Sequence, residues 1–124
     1  MADSWLKNLR DAGDILRRGS VPVTELRAGI IIGPGSAAFE VMRDLALNLP
    51  LMITPRWVRA KSPPIALQNL LAYLLGVAQS PAAAGRIYDA GGPEEVSYED
   101  MMKLVAQLAG KPAPRIIPVP VLSP

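Results

Sequence analysis

The sequence predicts an α/β fold in which parallel strands alternate with helices, and three observations predict it. Apolar residues recur at three- and four-residue intervals in several stretches, the period of a helix with one buried face. Between them lie short β-branched or alternating runs, the longest from Val23 to Ile32. Glycine and proline punctuate the runs, as at Gly33-Pro34-Gly35, Ser62-Pro63-Pro64 and Gly91-Gly92-Pro93. Strands that alternate with helices pair in parallel through right-handed crossovers.

Ser4 to Arg18 is predicted as an amphipathic helix with Trp5, Leu9, Ala12, Gly13 and Leu16 on one face. Ser4 is placed to cap it, Gly19 to close it in a left-handed conformation, and Pro22 forbids its continuation. Val23 to Ile32 begins with alternation and ends in a continuous apolar run, the pattern of a parallel strand buried on both faces at its far end. Ser36 then caps a helix whose apolar face is Phe39, Met42, Leu45, Ala46 and Leu49, and Pro50 ends it. Leu51 to Thr54 reads as a short strand before a basic segment, Arg56, Trp57, Arg59 and Lys61, set around an aromatic. Gln68 to Ala78 is a helix apolar on nearly every side, which implies burial between layers. Gly85 to Ala90 is a short strand. Ser97-Tyr98-Glu99-Asp100 resembles a capping box, opening a helix with Met101, Leu104, Val105 and Leu108 inside and Gly110 at its close. Arg115 to Val119 is a last strand or an extended tail.

Composition narrows the chemistry. The chain has 124 residues, half of them hydrophobic, the size of one domain with ample core material. The net charge of +2 is small and its basic residues are scattered among acidic ones, so no stripe for nucleic acid forms. With no cysteine and no histidine, disulfides, thiolates, the usual zinc ligands and histidine acid–base catalysis are excluded. Leu70 to Ala78, the longest apolar stretch, is interrupted by Gly76 and falls far short of the about 20 residues that span a bilayer. No signal peptide precedes the first charged helix, so a cytoplasmic protein without a membrane partner is expected. The carboxylates lie on exposed faces or near helix starts and form no acid–base constellation, so no catalytic residue is assigned.

Four phrases, in order, resemble one family. Leu26-Arg27-Ala28-Gly29-Ile30-Ile31-Ile32-Gly33-Pro34-Gly35 is similar to the sixth strand of extended and atypical short-chain dehydrogenases/reductases. Pro64 to Ala72 is similar to the segment in which that family commonly has an aspartate, with Asn69 in its place. Gly85 to Pro93 resembles the seventh strand and its glycine turn, and Ser97 to Gly110 the helix that follows. Pro22 to Arg27 and Ile53 to Val58 bring the likeness nearest to the atypical NAD(P)H-binding, NmrA-like branch. The resemblance covers nearly all of the chain but only the second half of the family's nucleotide-binding region. It implies a partial Rossmann-like, doubly wound domain over residues 1–124, with NAD or NADP as the lineage's cofactor.

Two family features are missing from the sequence. The glycine-rich turn that meets the pyrophosphate has no counterpart, because Gly33-Pro34-Gly35 lacks the third glycine and Pro34 has no amide to donate, so it reads as a turn. The tyrosine four residues before a lysine is absent: Tyr73 is followed at that spacing by Val77, and Tyr98 by Met102. By resemblance, Gly29, Ile30 and Ile31 lie beside the nicotinamide; read bare, they are a buried strand. Arg56 with Trp57 and Arg59 can clamp an anionic or planar ligand in the substrate lobe, or form a solvated loop with one anchoring indole. Phe39 and Met42 can line a pocket or simply pack the core.

Three functions stay open at this stage. The chain is a partial member of the atypical short-chain dehydrogenase/reductase group, inactive or weakly cofactor-binding alone. Alternatively it is a non-enzymatic module that self-associates through the strand Val23 to Ile32 or binds a missing N-terminal half. The third alternative is one half of a split NAD(P)-dependent oxidoreductase or epimerase that another chain completes.

Overall fold

The computed structural model describes residues 2–120, and side chains from residue 7 onward. Among the described residues the protein is a mixed α/β structure of four helices and eight short strands, with parallel pairings among the strands. In order they are α1 (Ala2–Arg17), β1 (Glu25–Ala28), β2 (Ile31–Ile32), α2 (Ala37–Asn48), β3 (Leu51–Pro55), β4 (Lys61–Ser62), β5 (Ile65–Ala66), α3 (Leu67–Gln79), β6 (Ile87–Ala90), β7 (Val96–Ser97), α4 (Tyr98–Leu108) and β8 (Arg115–Val119). A 3-10 turn over Arg56–Arg59 follows β3. Contacts gather the chain into two units, one of residues 1–27 with 71–90 and one of residues 28–70 with 91–124.

In the first unit β1 hydrogen-bonds to β6, and the Glu25 amide donates to the Arg86 carbonyl at 2.9 Å. The Thr24 hydroxyl donates to the Ala83 carbonyl at 2.7 Å. Arg17, in the last turn of α1, pairs with Glu25 and with Asp14. The face of α1 read as buried is not: Leu9, Ala12 and Leu16 are exposed, Leu16 to 62%. Among the described residues of that face only Gly13 is partly covered, and it lies so close to the Glu25 carboxylate that a Cβ would meet it at 2.7 Å. Gly19 ends the helix without a positive φ, its amide bonded to the Leu16 carbonyl in a simple turn. The helix begins two residues ahead of Ser4, and the side chains of Ser4 and Trp5 lie outside the described residues. In α3, only Leu70 is buried. Leu71, Tyr73, Leu74 and Leu75 face solvent, so burial between layers is not seen. Asn69 sits inside the first turn of that helix.

The second unit holds the core. Ile30, Met42, Met52, Val58, Met101 and Met102 pack together, with Ile32, Phe39, Val105 and Ile116 against them. Helices α2 and α4 pack on each other, each with an alanine on its buried face, Ala46 and Ala106. Ser36 caps α2 by accepting the Phe39 amide, and Ser97 caps α4 by accepting the Asp100 amide at 3.1 Å. The close of α4 is a Schellman motif: Gly110 takes φ +68°, its amide reaches the Gln107 carbonyl, and the Lys111 amide reaches Ala106.

The run from Val23 to Ile32 is two strands, not one. It breaks at Gly29 and Ile30, where the segment Ser62–Pro64 crosses. A Cβ at Gly29 would meet the Pro63 carbonyl oxygen at 2.5 Å, and Cβ atoms at Gly91 and Gly92 would meet Pro63 and Pro64 at 2.7 Å. Three glycines thus seat one proline pair, and the Gly92 amide fixes it by donating to the Pro64 carbonyl at 2.8 Å. Beyond the break β2 pairs in parallel with β5, and β3 pairs in parallel with β8 over five residues from Leu51↔Arg115 to Pro55↔Val119. β4 and β7 pair antiparallel.

Candidate functional site

A concavity lies in the second unit, between α2, the end of β3 with its 3-10 turn, and α4. Its volume is about 570 Å³. The alternation of β3 turns Met52 and Thr54 to the same side, while Leu51 and Ile53 face away. From α4, Tyr98 and Met102 stand one turn apart on one face. Met42 on α2 adds the third methionine of the floor, and Val41 and Leu45 form an exposed rim. Trp57 closes one side. Its ring meets that of Tyr98 edge to face, with centroids 5.6 Å apart and planes at 87°, yet the indole stays 60% exposed.

No side chain lining this pocket carries a charge. Its polar groups are the Tyr98 hydroxyl, the Trp57 ring nitrogen and the Thr54 hydroxyl. The Thr54 oxygen is buried in the wall with no hydrogen-bond partner. The neighbouring charges pair with one another. Arg59 donates to Glu99 at 3.0 Å, and Lys103 reaches the other Glu99 oxygen at 2.7 Å. Lys103 first, then Arg59, hold the Glu99 carboxyl below its ordinary range. The Ser97 hydroxyl does the same for Asp100, bonding it at 2.7 Å. In the other unit, Arg27 and Arg17 lower Glu25, and Glu25 in turn raises Arg17.

The residues singled out from the sequence divide between pocket and scaffold. Trp57 and Met42 line the pocket. Phe39 packs against the core beside it, and Arg56 is exposed outside the lining. Gly29, Ile30 and Ile31 serve the backbone scaffold: Gly29 admits Ser62 and Pro63, the Ile30 carbonyl accepts the Ile65 amide at 3.0 Å, and Ile31 pairs with Ile65. Met52, Thr54, Tyr98 and Met102 were not singled out as site residues, though the strand alternation of the first pair and the helical spacing of the second place them together.

The turn Gly33 to Ser36 closes on itself, with the Ser36 amide donating to the Gly33 carbonyl at 3.2 Å and Gly35 at φ +82°. Pro34 and a positive-φ glycine after it are what a type II turn requires. The Gly35 amide donates to Glu40 of the helix that follows at 3.0 Å. Among the described residues no cluster of acidic side chains could hold a metal ion, and no helix is long and apolar enough to cross a membrane. No family model matches the chain, and no curated protein matches it.

Proposed function

We propose that this chain is the second half of an NAD(P)-binding, Rossmann-like unit of the atypical short-chain dehydrogenase/reductase type, and that it supplies a ligand lobe without the phosphate grip. The supporting observation is that β2 and β5 lie parallel as neighbours and each leads into a helix, β2 through the turn Gly33–Ser36 into α2 and β5 directly into α3. That is the repeating step of a doubly wound sheet. Two of the segments that carry the resemblance, Leu26 to Gly35 and Pro64 to Ala72, fall on β2 and on β5 with the start of α3. Grip on the dinucleotide is weakened because the glycine turn that leads into α2 has its Gly35 amide bonded to Glu40 and a proline beside it. Calorimetric titration with NADPH and with NADH is expected to show no micromolar binding. Micromolar binding by the chain alone would overturn this part of the reading.

A second reading, self-association of the chain, is favoured by a separate observation. Among the described residues each strand has one paired edge and one open edge. The outward side of the β3–β8 pair is also largely apolar, with Leu51, Ile53, Ile117 and Val119 exposed on it and Arg115 as its one charged member, opposite Leu51 at the strand start. A doubly wound sheet covers both faces. A second copy that extended a strand edge or covered that face would supply what is absent.

A further inference from the structure

We infer that the pocket between α2, β3 and α4 takes a neutral, largely apolar ligand built on aromatic rings, and that it rejects the anionic form of the same framework. The inference rests on the ligand-lobe reading above and names its ligand class. A volume of about 570 Å³ falls within the roughly 300–1,000 Å³ typical of small-molecule pockets. The wall offers an entering carboxylate or sulfonate no cation: Arg56 lies outside the lining, and Arg59 and Lys103 are held by Glu99. An anion there would lose hydration and gain no partner. A ring gains more. Trp57 is fixed edge-on by Tyr98 and still exposes most of its indole for stacking. The floor of Met42, Met52 and Met102 is flexible and polarizable, so it can follow the outline of different ring systems.

A matched pair of fluorescent probes tests this with the full chain. N-Phenyl-1-naphthylamine is neutral, and 1-anilinonaphthalene-8-sulfonate carries nearly the same framework with one negative charge. The neutral probe is expected to bind saturably at one site, at least tenfold tighter than the sulfonate. Ala38→Phe fills the pocket from an exposed lining position on α2, and Val41→Asp places a charge in the rim. Each is expected to weaken the neutral probe at least tenfold with unchanged circular dichroism. Leu75→Ser, on the exposed face of α3, should leave its affinity within twofold. Equal or tighter binding of the sulfonate would overturn the inference, as would indifference of the neutral probe to both pocket substitutions. Micromolar NADPH binding would strike the phosphate-grip reading and leave this site standing, so the two fail separately.

Discussion

Thr54 concentrates the tension between stability and binding in one side chain. Its hydroxyl lies in the wall of an apolar pocket, shielded from water and without a partner. A buried hydroxyl left unpaired costs about 1–3 kcal/mol relative to a paired one. Thr54→Val keeps the shape and removes the orphaned group. It is therefore expected to raise the unfolding free energy by about 1 kcal/mol, seen as a higher urea midpoint at unchanged slope. Glu99 presents the opposite case, a carboxylate served by Lys103 and Arg59. Its folded pKa lies below the ordinary 4.5, so its stabilisation is full above that value and is lost as pH falls through the depressed one. Both cations are open to solvent, and screening limits the effect to about 0.5–1 kcal/mol. Glu99→Gln should cost that much at pH 7. The gap between the variant and the parent should close as pH falls below about 4.5 in acid-unfolding curves.

At the scale of the element, glycines at close crossings decide more than propensity does. Gly29 interrupts what would otherwise be one β-branched strand, because the chain at Ser62 and Pro63 passes where a Cβ would stand. Gly29→Ala presses a methyl against a backbone carbonyl that cannot swing aside, and a loss of about 1–3 kcal/mol is expected in thermal or urea unfolding. The proline pair and the glycines were visible in the sequence, but not that they meet. Caps were more legible. Ser36, Ser97 and Gly110 act within a few residues of themselves, so local spacing was enough to place them. Helix faces were legible in period and not in phase. On α4 the buried set is Met101, Met102, Val105 and Ala106, while Leu104 and Leu108 are exposed. Ala106 is wholly buried where α4 packs on α2, and a small residue there lets the helices close up. Hydrophobicity alone ranks leucine above alanine and so turns the face toward the wrong side. The pocket was half legible for a related reason. Trp57 and Met42 stood out, whereas Thr54 and Tyr98 gain their place only when β3 and α4 come together.

Across the whole molecule, apolar surface is left over in both units. In one, Leu16 on α1 is exposed to 62% and Leu75 on α3 to 64%. In the other, the outward face of the β3–β8 pair shows Ile53 and Ile117 side by side in register. The periodic apolar face of α1 and the all-round apolar character of α3 mark both for burial, but apolar character is silent on what covers it. Scattered exposed leucines need no explanation, but a paired-strand face and two helix faces together do. Burial of that surface against a second copy removes apolar area from water at about 25 cal/mol per Å² before the cost of association is subtracted. The chain is therefore expected to self-associate, with its weight-average mass rising with concentration in light scattering. Ile53→Lys places a charge on the open sheet face without disturbing the inward Met52, and it should shift the distribution toward monomer if that face is the one covered. Leu75→Glu makes the same test on α3. A wild-type chain that stays monomeric at high concentration would remove self-association as a reading and leave a different chain as the partner for these faces.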